Sequence, residues 1–147
     1  MDIVDSAKRS RMMAGIRGRD TKPEITLRGA LHARGFRFRL GNGALPGRPD
    51  IVLPRWKAAI QVHGCFWHRH SGCRFATVPV SNAAFWMNKF AANVERDARK
   101  LDELMKLGWR VAVVWECSLR GDDLDPTITS LVEWLRSEAR ALELPMT

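Results

Sequence analysis

The sequence predicts an α/β fold, a mixed central sheet flanked by helices in the order α-β-β-β-α-β-α. Three observations carry that expectation. Short apolar or alternating stretches at 36–40, 50–53, 58–63 and 109–115 lie between turn-forming residues. Apolar residues recur at helical spacing over 25–31, 90–105 and 128–135. The longest helical stretch separates two strand stretches, and a crossover of that kind makes the joined strands parallel.

Each element has its own signal. Thr21-Lys-Pro-Glu24 has the form of a capping box with Pro in the first turn, and Ile25, Leu27, Ala30 and Leu31 follow, so a helix should run to about Arg34 and stop at Gly35. Phe36-Arg-Phe-Arg-Leu40 alternates like a half-buried strand, ahead of the turn-rich segment from Gly41 to Pro49. Asp50-Ile-Val-Leu53 and Ala58-Ala-Ile-Gln-Val-His63 form a hairpin across Pro54-Arg-Trp-Lys57. A helix is predicted over 85–107, with Phe90, Val94, Ala98, Leu101 and Met105 on its stripe and Gly108 as its stop. Trp109 to Trp115 reads as a buried strand parallel to 58–63. Asp122 to Pro126 opens a last helix through Ile128, Leu131, Val132 and Leu135.

A chain of 147 residues is about one domain's worth, and 46% hydrophobic with 27% charged residues is too apolar for disorder. The expectation is one domain over 1–147, with residues 1–20 as a mobile basic N-terminal arm. No stretch of 18 apolar residues exists and the N-terminus lacks the apolar segment of a signal peptide, which points to a cytoplasmic protein without membrane contact. Lys and Arg number 24 against 16 acids, a net +8. Residues 1–40 carry ten basic and four acidic groups, whereas 121–147 carry two and six. A basic domain of this kind is the footprint of a polyanion binder, most often nucleic acid.

The hairpin concentrates chemistry. If Leu53 pairs with Ala58, Asp50 lies opposite Gln61, and Asp50, Gln61 and His63 project from one face. Val62 points its side chain into the core, while its carbonyl can face a cation held by Asp50. A carboxylate, a carbonyl and phosphate oxygens suit Mg²⁺. Asp50 as plain turn chemistry after Pro49 is the competing reading.

His63-Gly-Cys-Phe-Trp-His-Arg-His-Ser-Gly-Cys73 packs three histidines and two cysteines into one loop. Cys65, His70 and Cys73 have zinc-like spacing. Cys117 lies as far beyond the 109–115 strand as Cys65 lies beyond its own, so four ligands can close a structural Zn²⁺ site. Buried reduced thiols are the alternative. With His70 so used, His68 is left near Asp50, suited to take a proton from water attacking a phosphodiester, and His63 can orient that water or contact phosphate. A solvated loop histidine is the plainer reading of His68.

Pro49-Asp50 and the element order resemble the restriction-endonuclease-like fold, the PD-(D/E)xK type, with Gln61-Val62-His63 standing where acid-x-Lys is usual. At His63-Gly-Cys-Phe-Trp-His68 the sequence resembles the very-short-patch repair (Vsr) mismatch endonucleases of bacteria. The likeness extends through Leu45-Pro-Gly-Arg-Pro-Asp50, Phe85-Trp86, Asn93-Val-Glu-Arg-Asp97, Leu107-Gly-Trp-Arg110 and Val114-Trp-Glu-Cys-Ser-Leu-Arg-Gly121, roughly residues 8 to 136.

The resemblance implies a Mg²⁺-dependent DNA endonuclease that nicks 5′ to the thymine of a T:G mismatch left by 5-methylcytosine deamination. Carried over by motif, it implies Asp50 as the Mg²⁺ carboxylate, Val62 as the backbone carbonyl and His68 as general base. His63 and Glu24 are implied as supporting active-site groups, and Asp97 as orienting a histidine. For Glu24 the capping reading stands beside this one. Zinc falls to Cys65, His70, Cys73 and Cys117, although Ser71-Gly72 lengthens the interval before Cys73 by one residue. Phe66, Trp67 and Trp86 are implied as a wedge entering the base stack, with core packing the alternative for the tryptophans. Lys8, Arg9, Arg11, Arg17 and Arg19 would clamp phosphates. The implied partner is double-stranded DNA bearing a T:G mismatch, bound by a monomer with a functional link to a DNA cytosine methyltransferase and downstream repair proteins. Two rivals remain: a nuclease of other mismatch or sequence specificity, and a zinc-containing DNA-binding module without catalysis.

Overall fold

A computed structural model describes residues 20–41 and 45–146. The basic arm with Lys8, Arg9, Arg11, Arg17 and Arg19 lies outside the described residues.

The elements are α1 (Lys22–Ala33), β1 (Arg39–Leu40), β2 (Ile51–Leu53), β3 (Ala58–His63), α2 (Ala83–Lys106), β4 (Arg110–Trp115), α3 (Leu124–Arg136) and β5 (Ala141–Leu144). The sheet order is β1-β2-β3-β4-β5. The first two pairings are antiparallel and the last two parallel. The hairpin adopts the expected register, Leu53 opposite Ala58 and Ile51 opposite Ile60, and β4 runs parallel to β3 from Ala58↔Arg110 to His63↔Trp115.

Side-chain alternation on β3 and β4 divides the interior. Ala58, Ile60, Ala112 and Val114 pack with Leu27 and Leu31 of α1 and with Ile128, Leu131 and Leu135 of α3. The opposite face places Ala59 and Val111 against Leu104, Leu101 and Met105 of α2. Leu104 is fully buried, so truncating it to Ala should cost about 2–5 kcal/mol. Val62 packs against the α1 and α3 side, so its neighbours Gln61 and His63 face α2, as the period of a strand requires.

Four expectations need correction. A fifth strand, β5, joins β4 with Val111↔Ala141 and Val114↔Leu144. It is short and carries Glu143, whose carboxylate accepts from Trp115 Nε1 at 2.9 Å, so its apolar signal is thin. The first strand keeps only Arg39–Leu40, although Phe36 is buried and Phe38 packs on the core as the alternation implied. Thr21 makes no side-chain cap bond; its hydroxyl donates to Glu24 Oε1 at 3.2 Å while the Asp20 N–H donates to Oε2 at 3.1 Å. Finally, Val94 and Ala98 are exposed, not inward.

Phe90 and Leu104 are the buried residues of α2, and the half-buried positions between them are Asn93, Asp97, Lys100 and Leu101. The middle of the inward face, from Asn93 to Lys100, is therefore polar, because it borders a cleft. α2 ends as predicted, with Gly108 at φ +89, a conformation that an L side chain rarely adopts. No helix among the described residues is long and apolar enough to cross a membrane.

Candidate functional site

Asp50 is held on three sides. Its N–H donates to the Ile60 carbonyl at 3.0 Å and its carbonyl accepts from the Gly41 N–H at 3.5 Å. Oδ2 accepts from the Val62 N–H at 2.6 Å. Gly41 is required there, since a Cβ would lie 1.6 Å from the Pro49 carbonyl oxygen. Burial pushes the Asp50 carboxyl up to about 7 against the lowering effect of the Val62 bond, and the nearby charge of Glu24 adds to the rise. No Lys or Arg among the described residues forms an ion pair with it. A half-buried carboxylate with a fixed backbone and no cation paired to it can seat one.

Glu24 is 6% exposed and ion-paired with Arg28 Nη2 at 3.1 Å. Its oxygens close the start of α1 and also face the cleft shared with Asp50, so the capping and active-site readings describe one placement.

That cleft, about 670 Å³, runs from Thr21 and Glu24 past Asp50 and Gln61 to His63 and the loop after β3, with Lys89, Asn93, Asp97 and Lys100 of α2 as the far wall. Within it the His63 and His68 rings are stacked, centroids 4.1 Å apart and planes 7° from parallel. His68 Nδ1 lies 2.6 Å from Asp97 Oδ2. Burial lowers His63 to about 3, so its ring is neutral at ordinary pH. Burial works against the Asp97 carboxylate, but the hydrogen bond from His68 and the nearby Lys100 cation hold its carboxyl below the usual range. An ionised Asp97 fixes the proton on Nδ1 and leaves Nε2 of His68 as the ring's acceptor. His63, His68 and Asp97 are close enough to share a cation. The parallel stack argues against it, because a metal must lie near the plane of each ring that binds it. The geometry is that of a proton acceptor and its orienting carboxylate.

The second cluster is Cys65, His70, Cys73 and Cys117, whose ligand atoms all lie within 4.8 Å of one another. His70 Nδ1 is 3.7 Å from Cys65 Sγ and 3.4 Å from Cys117 Sγ. A tetrahedral ion with bonds of about 2.3 Å to sulfur and 2.0–2.1 Å to nitrogen has edges of roughly 3.6 Å, so the donor set fits. Burial raises the thiols of Cys65 and Cys117, and an ion would reverse that by binding thiolate. The Cys65 N–H donates to Glu116 Oε1 at 3.1 Å, tying the two cysteine-bearing loops together.

The third feature is aromatic. Phe66 meets Trp67, Trp86 and Phe90 at centroid distances of 5.0, 6.0 and 5.2 Å, and Trp67 and Trp86 are 6.1 Å apart. Phe66, Trp67 and Trp86 are half-buried and Phe85 is exposed, so this is a rim beside the cleft with Lys89 over both tryptophans, and core packing does not describe it.

Asp50, His63, His68 and Glu24 thus come together, as do the four thiol and imidazole ligands. Asn93, Lys100, Glu116 and Arg69 received no role from the sequence. Asn93 Nδ2 donates to the Trp67 carbonyl at 3.2 Å. Asn93, Asp97 and Lys100 recur at helical spacing, a polar stripe beside the apolar one that could have marked them.

Residues 1–74 match the family model described as DNA mismatch endonuclease Vsr. Over 146 residues the chain is 42% identical to the DNA mismatch endonuclease Vsr of Escherichia coli (strain K12), spanning 97% of this chain and 93% of that one. It is 47% identical over 118 residues to the type II nicking enzyme V.XorIIP of Xanthomonas oryzae pv. oryzae, covering 80% and 86%. It is 44% identical over 119 residues to the type II nicking enzyme V.NmeAIP of Neisseria meningitidis, covering 81% and 84%. In three dimensions it resembles the catalytic domain of the homing endonuclease I-Bth0305I with a TM-score of 0.54 at 21% identity, covering 80% of this chain and 100% of that one. The fold is restriction-endonuclease-like, as its sequence order indicated.

Proposed function

The chain belongs to the DNA mismatch endonuclease Vsr family, and from that premise we propose that it nicks one strand of DNA on the 5′ side of the thymine in a T:G mismatch. Endonuclease action on DNA is what membership itself carries. The observation that supports the finer mechanism best is the line Asp97–His68 beside Asp50 in one cleft.

Asp50 and the Val62 carbonyl would hold Mg²⁺. When bound, that ion stabilises the negative charge that grows on the phosphate. His68 takes the proton of the attacking water at Nε2, with Asp97 keeping the other nitrogen protonated and the ring aligned. Neutral His63 backs the His68 ring and excludes water from its far face. Glu24, paired with Arg28, faces the same cleft and adds a second carboxylate beside the cation seat. Cys65, His70, Cys73 and Cys117 would hold a structural Zn²⁺, and the fit of their donor spacing supports this. Phe66, Trp67 and Trp86 enter the stack at the mismatch, where unstacking costs least.

Replacing Asp50 by Ala tests the reading. Loss of nicking with DNA binding retained is expected, whereas a wild-type protein that binds but never nicks with Mg²⁺ would leave only a DNA-binding module.

A further inference from the structure

Arg69 stands between the two histidines that the two sites use. Its backbone is left-handed at φ +58, so consecutive side chains diverge: His68 reaches Asp97 and His70 reaches the thiols of Cys65 and Cys117. The Arg69 side chain goes to neither site. Nη1 donates to the carbonyls of Phe66 at 3.1 Å and Thr77 at 2.9 Å, and Nη2 to that of Ala76 at 2.8 Å. The guanidinium also lies 4.0 Å from the Phe90 ring centroid and 5.5 Å from that of Phe66. No carboxylate among the described residues pairs with it. Its charge is met only by carbonyl dipoles and two aromatic faces.

The consequence is mechanical. Phe66 is fixed through its carbonyl and its ring by one planar group, and Phe90 beneath it belongs to α2, the helix that also carries Trp86. The same fork ties down the 76–77 segment, so the Phe66 and Trp67 tip is braced from behind by the loop and from below by the helix. A side chain that must separate stacked bases works only if it does not fold back under that load. Lysine cannot substitute, because one ammonium lacks the planar fork that meets three carbonyls and stacks on a ring at once.

We propose that Arg69 is a positioning residue that holds the Phe66–Trp67 wedge in its inserting pose and thereby sets mismatch discrimination. The proposal rests on the wedge reading above. Its test uses the full chain with Arg69→Lys and Arg69→Gln, beside Trp67→Ala, and duplexes carrying 2-aminopurine next to a T:G or a T:A pair. Three quantities are read: zinc per chain, the fluorescence rise on binding, and the single-turnover nicking ratio of T:G over T:A. Both Arg69 variants should keep the wild-type metal content and lose most of the fluorescence rise and at least tenfold of the ratio, as Trp67→Ala does. Wild-type signal and ratio in either Arg69 variant overturn this proposal alone. Metal loss and unfolding in both variants overturn it too, by assigning Arg69 to the metal loop. Wild-type values in Trp67→Ala overturn the wedge reading and this proposal with it.

Discussion

His63 and His68 lie face to face, ring centroids 4.1 Å apart, and the ring that stacks on neutral His63 is the one hydrogen-bonded to Asp97. The stack holds the plane of His68 and the carboxylate holds its tautomer, so the acceptor nitrogen needs no reorganisation before a proton arrives. Removing the base and removing its orienter should therefore differ in degree. His68→Ala should lower single-turnover nicking by about 10²–10⁴-fold, and Asp97→Asn by roughly 10–100-fold, both with DNA affinity near wild type. Equal losses in the two variants would show that Asp97 does more than orient.

Asp50 trades stability for its charge. Its carboxyl is raised to about 7 by burial, above the value near 3.9 of an unfolded chain. Between those two pH values the unfolded state has released its proton while the fold retains one, so stability falls as pH rises and levels off above 7. Without divalent ions, Asp50→Asn should therefore be more stable than wild type at pH 8, by up to a few kcal/mol, with the gap closing towards pH 4. It should also be inactive. Thermal melts across that pH range decide this, and a variant less stable at pH 8 would contradict it.

His63 has the opposite sense. Its value is lowered to about 3, so from about pH 6.5 downwards the unfolded chain takes up a proton that the fold refuses. Stability contributed by the neutral ring is present above that pH and drains away on acidification. His63→Asn should flatten the acid limb of the stability curve. Denaturant melts at pH 4 to 7 test it, and an unchanged slope would count against a buried neutral ring.

The thiol cluster should behave as a structural metal centre. Cys65→Ser removes a fully buried ligand and should abolish stoichiometric zinc and lower the melting temperature markedly, since structural zinc contributes on the order of several kcal/mol to folding. A strong chelator should reproduce the loss in the wild type. Full zinc content in Cys65→Ser would sink the assignment.

Legibility followed local physics. The hairpin register could be read because Leu53, Ile51 and Ile60 must share one buried face and a slip by one residue would invert them. From that register came the placement of Asp50 beside Gln61 and His63. The four thiol and imidazole ligands were legible because Cys65 and Cys117 each lie two residues past the end of a neighbouring parallel strand, and His70 and Cys73 follow Cys65 at zinc-like spacing. Asn93 and Lys100 are hidden in the sequence because the apolar stripe of α2 looks continuous, whereas the middle of the helix turns a polar face to the cleft. Arg69 was hidden for another reason: its partners are carbonyls of Phe66, Ala76 and Thr77, and no residue type signals a carbonyl. β5 escaped because two leucines and a Glu at the end of the chain carry too little pattern, and pairing with β4 settles its state.

The central claim is strand-specific nicking at a T:G mismatch. The most direct test is a strand-resolved assay with Mg²⁺ on one duplex bearing T:G and on its T:A and C:G counterparts. A single nick on the 5′ side of the mismatched thymine, with both paired duplexes intact, is the result expected. Equal cleavage of all three duplexes, or nicking of the guanine strand, would contradict it.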